Sequence, residues 1–355
     1  MMRTLCCGLL LTTSALGVGF RSAPDAAHDF DFSIGSWKTH IRRLEHPLSG
    51  SAIWVEGTGT VSVRSIWDGG ANLEELEVDF PNRHLEGLTL RLYNPASHQW
   101  NLWWANASDG VLSTPNIGEF KDRRGEFFDQ ERYEGRMIVV RQVFSAITPS
   151  AYHFEQAYSA DHGRTWEANF VADLTRLSAE AKPSSVAAAD RNRDFDFNFG
   201  EWNTHVSRLR NVLRGDTHWV EYEGSSDVEP VWDGRASLFE LNVRGDAGEI
   251  HGLGLRLYNR SAAEWNLNWT NRSTGILGVP TVGTFQNNRG EFMDLELVEG
   301  KQAFVRNTFT AITPSSSRFE QAFSADGGRT WETNWIMTFA KDRRRPNQQG
   351  HQGAH

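Results

Sequence analysis

Residues 29–44 read DFDFSIGSWKTHIRRL, and residues 194–209 read DFDFNFGEWNTHVSRL. The two stretches stand 165 positions apart. The same offset carries GLTLRLYN (Gly87 to Asn94) onto GLGLRLYN (Gly252 to Asn259), and SADHGRTWEAN from Ser159 onto SADGGRTWETN from Ser324. A gapless match over such a length is the mark of a duplicated folding unit. It also supplies an internal comparison, because a position identical in both copies has resisted drift twice, for folding or for function.

Between the copies lies LSAEAKPSSVAAADRNR, polar, small and aperiodic, which reads as a flexible linker. Before them, MMRTLCCGLLLTTSALGVGF has one early positive charge at Arg3 and then an apolar run, followed by small polar residues, the layout of a secretory leader. Cleavage is expected between Gly17 and Ala27. The expected organisation is a signal peptide over 1–27, a first domain over 28–176, a linker over 177–193, a second domain over 194–341 and a disordered tail over 342–355. The leader implies a periplasmic or secreted protein with no stable membrane span once it is removed. Both cysteines, Cys6 and Cys7, sit in that leader, so the mature chain is expected to use neither disulfides nor thiolate chemistry. A net charge of -9 lacks the basic face that nucleic acid requires, so none is expected as a partner.

Within each copy, short alternating segments are separated by turn residues every eight to twelve positions, as in an antiparallel barrel or sandwich. GLTLRLYN puts Leu88, Leu90 and Leu92 on one face and Thr89, Arg91 and Tyr93 on the other. WNLWW groups Trp100, Leu102 and Trp104, and the second copy repeats this with Trp265, Leu267 and Trp269. KDRRGEF and NNRGEF have the glycine of a hairpin loop. The Ser-x-Asp-x-Gly-x-x-Trp stretches match the Asp box of sialidases. Two of them 165 residues apart do not make a propeller, so each is expected to be a structural hairpin in which Asp161 or Asp326 accepts turn N–H groups.

Gly35-x-Trp37 and Gly200-x-Trp202 resemble the first-strand signature of the lipocalin and calycin barrels. The full start, Asp-Phe-x-Phe-x-x-Gly-x-Trp, is similar to that of a bacterial family of uncharacterised calycin-like domains. The resemblance spans essentially all of each copy. It implies an all-β chain of two tandem antiparallel calycin/lipocalin-like β-barrels, each plugged at its closed end by the tryptophan and often covered there by a late-strand arginine, with no assigned activity.

Small barrels are either filled by side chains or open to one small ligand. Shared polar and aromatic residues at strand positions are therefore the candidates: Glu75, Arg91, Tyr93, Trp104, Asn106, Glu131 and Arg141 in the first copy, and Glu240, Arg256, Tyr258, Trp269, Asn271, Glu296 and Arg306 in the second. Asp129, Gln156 and Asn169 are shared in the same way with Asp294, Gln321 and Asn334. Buried together, such carboxylates and arginines would have to neutralise one another; facing outward, they would be ordinary cross-strand pairs. Trp103 against Asn268, and Phe170 against Trp335, are places where the copies could differ in ligand.

Only His40 and His205 are equivalent histidines, and three residues after Trp37 His40 points to the opposite strand face, so neither haem nor a structural metal is expected. No cofactor motif is present. Three readings follow. The first is a pair of barrels, acting as an internal pseudo-dimer, that bind a small apolar or amphipathic molecule between tryptophan walls. The second is an enzyme (a cyclase, isomerase or hydrolase) on the same scaffold, with Glu75 or Glu131 as general base and Arg91 or Arg141 steadying an anion. The third is an interaction module with filled barrels.

Overall fold

The computed structural model describes residues 26–182 and 192–341; the leader up to residue 25, the middle of the linker and the tail lie outside the described residues. Each copy is a closed ten-stranded antiparallel barrel. The first runs β1 (Gly35–Leu44), β2 (Trp54–Ile66), β3 (Ala71–Phe80), β4 (Arg83–Asn94), β5 (Gln99–Asn106), β6 (Asn116–Lys121), β7 (Arg124–Tyr133), β8 (Arg136–Ser145), β9 (Ala151–Ser159) and β10 (Glu167–Ser178). The second runs β11 (Gly200–Leu209), β12 (Trp219–Val231), β13 (Ala236–Gly245), β14 (Gly248–Asn259), β15 (Glu264–Asn271), β16 (Thr281–Gln286), β17 (Arg289–Val298), β18 (Lys301–Thr313), β19 (Ser316–Ser324) and β20 (Glu332–Ala340). Every strand pairs with its neighbours in sequence, and β1 on β10, like β11 on β20, closes the ring and leaves no edge to aggregate.

The period-two pattern sets the inside and outside of β1: Trp37, Thr39 and Ile41 are buried, whereas Lys38 and Arg42 are exposed. His40 accordingly faces out and meets Glu56 at 3.3 Å. The chain before β1 makes a 3-10 turn, Asp31–Ser33, that drives Phe30 into a nest of rings, with Trp100 and Phe120 each at 4.9 Å. Trp37 Nε1 donates to Ser33 O at 2.7 Å, and the Arg176 guanidinium covers the indole at 4.0 Å while donating to the carbonyls of Phe32, Ile34 and Pro149. In the second barrel Phe195 and Trp202 repeat the plug, and Lys341 stands where Arg176 does. The Asp-box hairpins are structural: Asp161 accepts from Arg164 N, Thr165 N and Thr165 Oγ1, and these bonds hold its carboxyl well below the usual range.

The leucine face of β4 turns away from its own barrel. Leu88, Leu90 and Leu92 pack with Ile66, Trp67 and Trp103 against Val231, Trp232, Leu253, Leu255 and Leu257, so one apolar cluster lies between the two barrels. Its polar contacts are reciprocal. Asn101 Nδ2 donates to Gly275 O at 3.2 Å, and its counterpart Asn266 donates to Gly110 O at 3.3 Å. A Cβ on Gly110 would stand 2.1 Å from Tyr258 O and one on Gly275 would stand 1.9 Å from Tyr93 O, and both residues have positive φ, so only glycine admits this approach. Equivalent positions Arg64 and Glu229 form an ion pair across the junction, and Arg235 pairs with Glu86.

Candidate functional site

The inward face of the first barrel encloses a cavity of about 310 Å³. Its walls are mostly aliphatic and aromatic, among them Ile41, Leu76, Leu102, Val140, Phe154 and Phe170. Polar side chains are interspersed among them, including Arg43, Arg83, Asn106, Gln142 and Gln156, and two groups stand out.

Near the plug, Arg91 on β4 is 1 % exposed, its guanidinium lying 4.8 Å from the Phe30 ring and 5.4 Å from Phe144. Such a charge needs a counter-ion in a low-dielectric interior. Adjacent β3 provides one: Arg91 Nη2 bonds Glu74 Oε2, Nη1 donates to Asn72 Oδ1 at 3.1 Å, and Thr89 Oγ1 donates to the other Glu74 oxygen at 3.3 Å. Pairing makes this a neutral polar floor, in which Nη1 and Nη2 of Arg91 are bonded and its Nε is buried without a partner.

On β7, Asp129 and Glu131 are two residues apart and so share the inward face. Burial, and then the charge of Glu131, push Asp129 up to about 7. Burial also raises Glu131, against an opposing pull from Tyr158. Asp129 therefore changes charge near neutral pH, inside the cavity and beside Glu131. The six-membered ring of Trp104 occupies the space beside Gly87, where a Cβ would be 2.1 Å from the indole, so glycine on β4 makes room for this wall. Gly252 and Trp269 repeat the device.

Of the residues singled out from sequence, Arg91, Trp104, Asn106 and Glu131 line the cavity, as do Asp129, Gln156 and Phe170. Others stand elsewhere. Glu75 faces the second barrel, where its carboxylate accepts from Trp232 N at 3.4 Å, and burial raises it against the pull of Arg64; Glu240 is raised by burial with Arg64 opposing in the same way. Tyr93 packs by Trp100 and its hydroxyl meets His98, and Tyr258 packs by Trp265. Arg141 lies over Trp166 at 4.6 Å with Glu155 beside it, and Arg306 lies over Trp331 at 4.1 Å. Trp103 belongs to the junction, and its counterpart Asn268 donates to Leu255 O. Selection by shared identity missed several lining residues, among them Asn116, Gln142 and, at the floor, Glu74, because positions 281, 307 and 239 are Thr, Asn and Phe. Strand parity was the available signal: Glu74 lies on the inward face with Leu76 and Val78, and Glu75 does not.

In the second barrel several equivalent positions hold larger side chains: Phe239 for Glu74, Met337 for Ala172, Phe339 for Leu174 and Trp335 for Phe170. Phe239, Met337 and Phe339 are buried in its core. Phe339 meets Trp202 at 6.5 Å, taking over from Tyr152, which meets Trp37 at 4.8 Å in the first barrel and is replaced by Ser317. Asp294 is pushed up to about 7 by burial and by Glu296, as its counterpart is. Asn271 and Trp269 keep their places on β15, Trp269 standing 6.1 Å from Phe239.

Among the described residues no group of three or more His, Cys, Asp or Glu is arranged to hold a metal, and no helix is long and apolar enough to cross a membrane. No protein-family model matches the chain, and no curated protein does. Similar solved structures include the S-type phycobiliprotein lyase CPES from Guillardia theta, at 14% identity over 42% of this chain and 90% of that one with a TM-score of 0.30. A protein of unknown function from the DUF3598 family of Nostoc punctiforme is similar at 8% identity over 90% of this chain and 100% of that one, with a TM-score of 0.24. Neither likeness bears on function.

Proposed function

We propose that this is an exported binding protein, built from two calycin-like domains of the Asp-Phe-x-Phe-x-x-Gly-x-Trp type, whose working site is the cavity of the first barrel. The observation that carries this reading is the contrast at equivalent positions: space enclosed in the first barrel is occupied in the second by Phe239, Met337 and Phe339. A volume of about 310 Å³ is at the small end of ligand pockets, which run from ~300 to ~1,000 Å³. Because Glu74 already neutralises Arg91, the floor asks for no charge. The ligand is therefore a small, mostly apolar, neutral or weakly basic molecule whose polar group meets the Asp129–Glu131 pair. The second barrel acts as the fixed half of an internal pseudo-dimer.

Native mass spectrometry of the mature protein from its own host, before and after denaturation, tests the reading, together with the double variant Ala172→Met/Leu174→Phe, which copies the second barrel's side chains. The expected result is a released small molecule from the wild type and none from the variant, with folded near-ultraviolet signal intact in both. Release in equal amounts from both would move the site out of this cavity.

General acid–base catalysis is favoured by one observation, Asp129 raised to about 7 beside Glu131 on the inward face of the cavity. Under it, Glu131→Gln retains the bound compound and accumulates it unconverted. A variant that binds and releases the same compound as the wild type leaves binding alone as the role.

A further inference from the structure

The lining of the first cavity is sorted by strand. Five consecutive strands carry its amides and carboxylates above the floor: Asn106 on β5, Asn116 on β6, Asp129 and Glu131 on β7, Gln142 on β8 and Gln156 on β9. The rest of the ring, β10 and β1 to β4, faces them with Ala172, Leu174, Ile41, Val61, Leu76 and Leu85. An aromatic side chain stands at each seam, Trp104 on β5 and Phe170 on β10. The charged exceptions on the apolar side are set apart: Glu74 and Arg91 are paired in the floor, and Arg43 and Arg83 are exposed to solvent.

Amides and carboxylates in one arc mix donors with acceptors. Gln142 Nε2 donates to Gln156 Oε1 at 3.5 Å and Gln156 Nε2 to Asn169 Oδ1 at 3.1 Å, which ties the two glutamines together. Asn116 is 4 % exposed, and its Nδ2 and Asp129 Oδ1 are buried without a hydrogen-bond partner in the protein, although such groups are ordinarily satisfied. The second barrel, filled where the first is open, closes this arc on itself. The counterparts of Gln142 and Asn116 are Asn307 and Thr281, and Asn307 Nδ2 donates to Thr281 Oγ1 at 3.2 Å. A single carbonyl, amine or hydroxyl would use one or two groups of the open arc. A set of neighbouring hydroxyls, each both donor and acceptor, matches donors and acceptors spread over five strands.

We infer that the polar arc of the first barrel recognises a monosaccharide ring, and that the ligand is a glycoside of that sugar whose short aliphatic chain lies against the wall from β10 to β4. The inference rests on the first cavity being the working site, and names the polar group that meets Asp129 and Glu131. The sugar is uncharged, in keeping with a floor already neutralised by the Arg91–Glu74 pair, and Trp104 at the seam offers a flat apolar surface to the C–H face of the ring. One ring and a short chain suit a cavity of about 310 Å³, at the small end of the ligand-pocket range.

The test is calorimetric titration of the mature protein with n-hexyl β-glucoside, β-galactoside and β-mannoside, with 1-hexanol and the corresponding methyl glycosides as the two halves of the ligand. At least one hexyl glycoside should bind roughly tenfold or more tighter than hexanol and than its own methyl glycoside. Asn116→Thr/Gln142→Asn, which installs the self-satisfied pair of the second barrel, should narrow the gap between that glycoside and hexanol roughly tenfold, the worth of one or two hydrogen bonds, and Gln142→Leu should do the same. A wild type that binds no hexyl glycoside more tightly than hexanol overturns the inference, and so does a gap that both variants leave unchanged. Hexanol bound by the wild type and lost from Ala172→Met/Leu174→Phe would in that case keep the cavity as the working site and remove only the sugar. No binding of any probe, with equal release from the wild type and that variant in mass spectrometry, would remove both.

Discussion

The first barrel holds a cavity over a neutralised arginine, and the second keeps the arginine, deletes its partners and packs rings where the cavity was. The two share a plug, a strand order and a junction. After duplication, most of the junction and of the ring nest stayed alike, because both are parts of a continuous packed core where one misplaced atom is felt, and where Tyr152 gave way to Ser317 the Phe339 ring moved in against Trp202. On the inward faces, Arg91, Asn106, Asp129, Glu131 and Gln156 were kept, whereas the partners around the arginine, Asn72, Glu74 and Thr89, were not. Divergence concentrated at Glu74/Phe239, Ala172/Met337 and Leu174/Phe339 is what is expected when one copy keeps an open interior and the other a filled one.

The comparison is broken most severely at the junction, where the barrels are alike. Gly275→Ala puts a methyl group 1.9 Å from Tyr93 O at a residue with φ +60, and should cost about 3 kcal/mol or more in urea denaturation, with Gly110→Ala similar. Equal losses from both establish the junction as symmetric in energy as well as in contacts; a small effect from either shows that side of the junction to be loose.

The arginines sharpen the contrast. Arg91→Met strands Glu74, 14 % exposed at its side chain, and should cost about 3 kcal/mol. Arg256→Met removes a charge with no counter-ion and should leave stability unchanged or raise it by ~1 kcal/mol. Chemical denaturation of the two variants side by side decides it, and equal costs would mean that Arg256 has a partner equivalent to Glu74.

The smallest effect concerns what the barrels kept in common. Asp129 and Asp294 each titrate near 7 in the folded chain against an ordinary 3.8. A carboxyl raised on folding stabilises most when protonated in both states, below about pH 4, and that contribution is lost as pH rises through about 7. Asp129→Asn and Asp294→Asn should each flatten the fall in Tm between pH 4 and 7. A slope that only one of them changes would show that the pairs are unequally buried.

Much of the architecture was legible without coordinates. The 165-residue offset delimits the repeats, the alternation in β1 and β5 sorts their faces, Gly35-x-Trp37 anticipates the plug, and the Asp-box hairpins form as their side chains require. Arg91, Trp104, Asn106 and Glu131 were found because they are shared inward-facing residues. Glu75, Tyr93 and Arg141 were selected by the same rule and stand elsewhere, since identity between copies marks any conserved burial, and a strand in this protein is buried on both faces wherever a second barrel covers it.

What the sequence by itself determined is local and periodic: which residues alternate, where turns fall, and that the unit occurs twice. Which face of β4 looks inward was decided only by tertiary structure. Leu88, Leu90 and Leu92 form the apolar face of β4, yet that face is the outer one, because burial against Val231, Leu253 and Leu255 takes its apolar surface out of water. That choice turns Thr89 and Arg91 into the barrel and brings Glu74 to them across a strand pair. Alternation reports that two faces differ; only the packing partner says which of them is inside.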